Sequence, residues 1–253
     1  MALKRLKRTL PHLAPLTRAL FGVRVPHPTS QGHWDYSTLV LFSELKKRVR
    51  PGHRVLELGT GEAGILSIAM AGRIRANYLA LDVAEEAVTS ARVVAAANKV
   101  EVEFRQSDLF AAVSADEEFD IVFFNPPYLP QSQSDFWRGQ GEPARVWDGG
   151  VDGLDVIRRF WIEAGARRQK IATVLLGFNR KAVTEARVAG LGLRQGFAVT
   201  DSIRAFHPGT VMVFSGAEVA IKRDPRNTRS RRGLEGRWQV STRVTPGRPA
   251  WIA

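Results

Sequence analysis

The segment Phe119-Asp120-Ile121-Val122-Phe123-Phe124-Asn125-Pro126-Pro127-Tyr128 constrains this chain most. Its first six residues form an apolar run that reads as a buried strand. Two prolines then end the strand abruptly, because neither has an N–H to give to a neighbour. In open α/β sheets, the carboxyl end of a strand is where ligands bind. There, an Asn carbonyl and a nearby backbone carbonyl can accept both N–H bonds of a planar amino group. A Tyr ring can stack on the flat group that carries it. The segment reads as a holder for a nitrogen about to be alkylated, with Asn125, Pro126 and Tyr128 as candidate catalytic residues.

The flanking sequence supplies the rest of such a sheet. Strand-like runs at 54–58, 78–81, 100–105, 119–124 and 170–177 alternate with helix-like runs at 37–49, 63–72, 85–98, 152–167 and 179–190. Asn179 is placed as the N-cap of the last of these helices. Alternation of this kind predicts a parallel sheet with helices on both faces. Residues 193–200 and 210–222 read as a closing pair of strands with no helix between them, which predicts an antiparallel edge. The expected fold is α/β, a doubly wound, mostly parallel seven-stranded sheet with a short helical N-terminal extension. At 253 residues and 44% apolar composition, the chain can bury one such core.

No uncharged apolar run is long enough to span a membrane, and the chain has no cysteine. Disulfides and thiolate metal sites are thereby excluded. The histidines lack metal-ligand spacing, so no metal is expected. A cytoplasmic location is the expectation. The net charge of +12 is uneven: residues 1–24 carry +6, residues 222–253 carry +7, and the body between them carries −1. The leucine-rich, acid-free start reads as a short amphipathic helix or a transit peptide, and a structural or substrate-contacting helix is favoured. Basic ends suit a polyanionic partner such as RNA or a ribosome, and serve equally as solubilising tails.

Glu57-Leu58-Gly59-Thr60-Gly61-Glu62-Ala63-Gly64 runs from strand into helix, and its glycines let the backbone approach a ligand closely. With Asp82 at the end of the next strand, the pattern implies an adenosine-containing cofactor whose ribose the acid would hold. Three features favour S-adenosylmethionine over a nicotinamide dinucleotide. Glu57 would repel a pyrophosphate but suits a cationic amino-acid moiety. Asp108, in Ser107-Asp108-Leu109, lies where an acid can accept an adenine amino group. Asn125–Tyr128 has a role in methyl transfer and none in hydride transfer.

Residues 53–160 resemble the class I S-adenosylmethionine-dependent methyltransferases, and more narrowly the branch containing the release-factor glutamine methyltransferases and their nucleic-acid amino-methylating relatives. The matching pieces are Glu57-Leu-Gly-Thr-Gly61, Leu81-Asp82-Val83, Ser107-Asp108-Leu109-Phe110 and Asn125-Pro-Pro-Tyr128. Trp147-Asp-Gly-Gly-Val-Asp-Gly-Leu154 is similar to the segment that follows Asn-Pro-Pro-Tyr in the glutamine-modifying members. The resemblance implies S-adenosylmethionine bound by Glu57, Gly59, Thr60 and Gly61 at its methionine part and by Asp82 and Val83 at its ribose. It implies Asp108 and Leu109 at the adenine, with Asn125 facing both cofactor and acceptor. It implies that Trp34–Thr38 supplies a lid over the cofactor, within a helical extension of residues 1–50 that precedes a methyltransferase domain at 51–222. Residues 223–253 have no counterpart in the family; rich in Arg, Pro, Gly and Thr and poor in apolar residues, they read as a basic, flexible tail. The expected acceptor is a glutamine side chain of a protein such as a translation factor. The alternative within the family is an exocyclic amino group of rRNA or tRNA. An NAD-dependent reductase and an inactive RNA-binding protein are the readings from other classes, and Asn125–Tyr128 argues against both.

Overall fold

The computed structural model describes residues 14–29, 34–133, 144–205 and 208–216. Seven strands form one sheet: β1 (Arg54–Leu58), β2 (Asn77–Asp82), β3 (Glu103–Gln106), β4 (Phe119–Phe124), β5 (Ile171–Asn179), β6 (Phe197–Arg204) and β7 (Gly209–Gly216), in the order β3-β2-β1-β4-β5-β7-β6. The helices are α1 (Ala14–Phe21), α2 (Tyr36–Arg48), α3 (Ile65–Ala71), α4 (Glu85–Asn98), α5 (Ala144–Trp147), α6 (Asp155–Ala166) and α7 (Glu185–Arg194).

Pleating sends successive residues of the central strands to opposite faces. Val55, Ile121 and Phe123 join Leu41 and Leu45 of α2, Met70 of α3 and Val88 of α4 in one apolar layer. Leu56, Val122 and Phe124 join Phe160 and Trp161 of α6 and Val188 of α7 in the other. Both faces are therefore covered, which is why these strands read as nearly continuous apolar runs. Trp161 packs edge-on against Phe214 at 4.6 Å and beside Phe197 at 5.3 Å, tying α6 to the two last strands.

The parallel strands and the antiparallel closing pair agree with the sequence, but β7 lies between β5 and β6. The antiparallel strand is thus second from the edge. Several boundaries also move. β5 continues through Asn179 because Phe178 is fully buried. The Asn179 side-chain carbonyl then accepts from the Lys181 N–H, which makes it a turn residue rather than the helix cap. The helix starts later, at Glu185, and runs through Gly190 and Gly192 to Arg194, so β6 begins at Phe197. At Gly192 a Cβ would lie 2.8 Å from the Phe214 ring, so close packing accounts for a glycine inside this helix. β3 begins at Glu103 rather than at 100. Residues 1–13, the expected strand beyond 216 and the basic tail lie outside the described residues.

N-terminal to the sheet, Phe21, Val23 and Val25 are buried, and Arg24 and Asn98 exchange two hydrogen bonds of 2.8 Å. These bonds tie the segment to the C-terminal end of α4. No helix among the described residues is long and apolar enough to cross a membrane.

Candidate active site

The strand order reverses between β1 and β4, so their carboxyl ends open a crevice. On the β1 side, Gly59 and Gly61 adopt φ of +65° and +64°. Side chains rarely take this conformation. A Cβ at Gly59 would also come within 3.0 Å of the Phe124 ring. The loop is held from the neighbouring strand. Thr60 N–H donates to the Leu81 carbonyl at 2.9 Å, and Gly61 N–H donates to Asp82 Oδ2 at 2.8 Å. Asp82 Oδ1 accepts from Ala84 N–H at 3.0 Å, which fixes the carboxylate at the end of β2. Beside it Val83 is half exposed, an apolar surface at the rim.

Glu57 is buried beneath this loop. Its Oε2 accepts from the Ser67 hydroxyl at 2.5 Å, the Ser67 N–H at 3.2 Å and the Thr60 hydroxyl at 3.0 Å. Burial raises its pKa to about 7; those hydrogen bonds oppose the rise and the nearby Asp82 charge adds to it. Ser67 was not anticipated from the sequence; its one signal was its place in the first turn of the helix after the glycine loop.

Asp108 is exposed and pairs with Arg159 of α6 at 2.7 Å, a partner sequence spacing could not reveal. The next residue, Leu109, sits at φ +47°, uncommon for a residue with a side chain. Ser107 stabilises the turn by donating its hydroxyl to Leu109 O at 2.8 Å while accepting from Ala112 N–H at 2.9 Å.

On the β4 side, Asn125 Nδ2 donates to Asp35 Oδ1 at 3.1 Å and to Thr38 Oγ1 at 3.2 Å. The Tyr128 hydroxyl donates to Asp35 Oδ2 at 2.7 Å. Burial and the adjacent Asp35 charge hold the Tyr128 phenol well above its ordinary range. Asn125 Oδ1 is buried without a partner. Pro126 is buried between these two residues. Asp35 caps α2, accepting from Thr38 N–H at 2.8 Å in a capping box. The sequence reading placed Trp34–Thr38 over the cofactor; the structure joins Asp35 and Thr38 to Asn125 and Tyr128. The Asp35-x-x-Thr38 spacing signals a cap, but nothing in it names partners 90 residues away.

The glycine-rich segment after the loop clamps it from the other side. Leu129 N–H donates to Trp147 O and Gly149 N–H to Leu129 O, both at 2.9 Å. Gly153, at φ +77°, presses on Tyr128: a Cβ there would lie 2.4 Å from the Tyr128 carbonyl oxygen. Arg158 and Arg187 both bind Asp152, and the Arg158 guanidinium in particular lowers the Asp152 pKa to about 2. No group of three His, Cys, Asp or Glu suited to a metal occurs among the described residues.

Residues 26–138 match the family model of the methyltransferase small domain. The release factor glutamine methyltransferase of Deinococcus radiodurans is 33% identical over 177 residues, covering 66% of this chain and 59% of that protein. The one from Bacillus cereus is 36% identical over 128 residues, covering 47% of this chain and 44% of that protein. A methyltransferase from Pyrococcus furiosus superposes with a TM-score of 0.61 at 19% identity, covering 85% of this chain and 99% of the other. Residues 26–138 carry a domain of the methyltransferase class, and the chain has the Rossmann-like methyltransferase fold. It spans about half the length of the curated relatives it matches. The glycine cradle between β1 and β4, with Asp82 anchored beside it and Glu57 beneath, fits the S-adenosylmethionine of that class.

Proposed function

We propose that this chain is an S-adenosylmethionine-dependent N-methyltransferase whose acceptor is the side-chain amide of a protein glutamine. The observation that carries the reading is the buried, unpartnered Oδ1 of Asn125 at the carboxyl end of β4. An acceptor in that position is suited to a planar N–H donor. Relatives named as release factor glutamine methyltransferases support the choice of glutamine, as does the Asp148–Leu154 segment packed on the Asn-Pro-Pro-Tyr loop.

S-adenosylmethionine supplies a methyl group on a positively charged sulfur, already activated for transfer. Gly59, Thr60, Gly61 and Glu57 would hold its methionine part; Asp82 and Val83 would hold the ribose, and Asp108 and Leu109 the adenine. Glu57 would be drawn into its ionised form by the cationic amino group. Asn125 Oδ1 and the Pro126 carbonyl would accept the two N–H bonds of the acceptor and aim its lone pair. As positive charge develops on that nitrogen, the same two oxygens hold it more strongly, so the transition state gains more than the ground state. The Tyr128 ring offers a face for the acceptor plane. The proton is lost to water once the methyl group is in place.

The test is incubation with methyl-labelled cofactor and a purified release factor, followed by mass spectrometry of its peptides. A methyl group on one glutamine is expected. Label that reaches no glutamine sinks the reading. The basic ends favour a second acceptor class, an exocyclic amino group of rRNA or tRNA, and parallel reactions containing those RNAs decide between the two.

A further inference from the structure

Asp35 gathers four hydrogen bonds that serve two elements. Thr38 N–H and the Thr38 hydroxyl donate to Oδ1, each at 2.8 Å, and belong to the start of α2. Asn125 Nδ2 donates to Oδ1 and the Tyr128 hydroxyl to Oδ2, and these belong to the loop after β4. An ionised carboxylate only accepts, so the chemistry fixes which end of the Asn125 amide faces it. Turned over, Asn125 Oδ1 would face the Asp35 carboxylate and a Thr38 hydroxyl whose proton is already given to Asp35. Both donors of the loop, the Asn125 amide and the Tyr128 hydroxyl, are therefore committed inward, and Asn125 Oδ1 is left as a buried acceptor with no partner.

The helix that carries Asp35 is firmly seated. Leu41 and Leu45 of α2 are fully buried in the layer over β5 and β7. The positive end of the helix dipole favours a carboxylate at its first turn. Gly177 of β5 permits the close approach: a Cβ there would lie 2.8 Å from Leu41 Cδ1 and 3.2 Å from Asn125 Oδ1.

We propose that Asp35 is the positioning residue of the acceptor site. By holding the Asn125 N–H and the Tyr128 hydroxyl, it makes the loop present acceptors only, so the site selects a group that arrives as an N–H donor. This selectivity rests on the methyl-transfer reading above; the orientation of Asn125 does not.

Asp35→Ser separates the two duties of Asp35. Serine caps a helix as well as aspartate does but is too short to keep Asn125 and Tyr128. In ¹⁵N spectra of the full chain, the Asn125 side-chain amide pair, assigned by its loss in Asn125→Ala, should move to the shifts of a solvated amide. Affinity for S-adenosylhomocysteine should be unchanged by calorimetry. With release factor as substrate, kcat should fall about 10²-fold while KM moves little, the scale expected when a reacting group is misplaced by about 1 Å. Asp35→Asn keeps one carbonyl acceptor and should restore part of both signals; it also serves as the readable variant if Asp35→Ser does not fold. Asn125 amide resonances left in place by Asp35→Ser, or by both variants, overturn the proposal. If the unaltered chain does not methylate release factor, the glutamine reading fails, and the amide spectra still decide the role of Asp35.

Discussion

The two sides of the crevice are built differently. On the β1 side the framework is mostly backbone, and its side-chain bonds close over 3, 10 and 21 residues: Thr60 to Glu57, Ser67 to Glu57, and Gly61 to Asp82. On the β4 side the framework is side chains, joined across 90 residues from Asp35 to Asn125 and 93 from Asp35 to Tyr128. A site made of main chain from one β-α-β unit forms whenever that unit folds. A site made by one distant carboxylate forms only when α2 has docked on the sheet. The first thus depends on main-chain geometry and on side chains close in sequence, and the second on one carboxylate brought from a distant element.

The sharpest break of this comparison is Asn125→Ala. It should lower turnover by about 10²-fold or more and leave S-adenosylhomocysteine affinity nearly intact, the usual scale for losing a group that holds developing charge. Calorimetry and initial rates read the two sides separately; equal losses in both would mean that the sides are not independent. Next is Asp82→Ala, which removes the carboxylate proposed to hold the ribose and should weaken cofactor binding by about 1–3 kcal/mol, the scale for losing hydrogen bonds to a charged group. Binding of NAD should be far weaker than that of S-adenosylmethionine in the unaltered chain, and tighter binding of NAD would overturn the cofactor assignment. Gly59→Ala should cost about 1–2 kcal/mol in unfolding by urea, since an L residue is strained at φ +65° and its Cβ meets the Phe124 ring. An unchanged midpoint would show that the loop relaxes freely.

The smallest effect is a slope. Glu57 has a pKa of about 7 in the fold against an ordinary 4.5. Between those values the native state keeps a proton that the unfolded chain releases. Stability of the ligand-free protein should therefore decline as pH rises from about 4.5 to about 7. Glu57→Gln should flatten this part of the profile. Affinity for S-adenosylmethionine should rise over the same interval, as the carboxylate ionises beside a cation. A slope that survives Glu57→Gln assigns the pH dependence to other groups.

The sequence by itself determined the α/β class, the central strands and the places of Glu57, Asp82 and Asn125 at strand ends. Those features are local: apolar runs set the strands, prolines and glycines set where they stop, and a side chain at a strand's end needs no partner to be located. Helix and strand limits after β5 were misread because Phe178 extends that strand and Gly192 is tolerated for the sake of Phe214 and Trp161, both matters of packing. The pairs Glu57–Ser67, Asp108–Arg159 and Asp35–Asn125 were likewise decided only by the tertiary structure. Hydrogen bonds of this kind depend on which faces meet when α2, α3 and α6 dock on the sheet. No periodicity within one element encodes the identity of the side chain that another element brings to it.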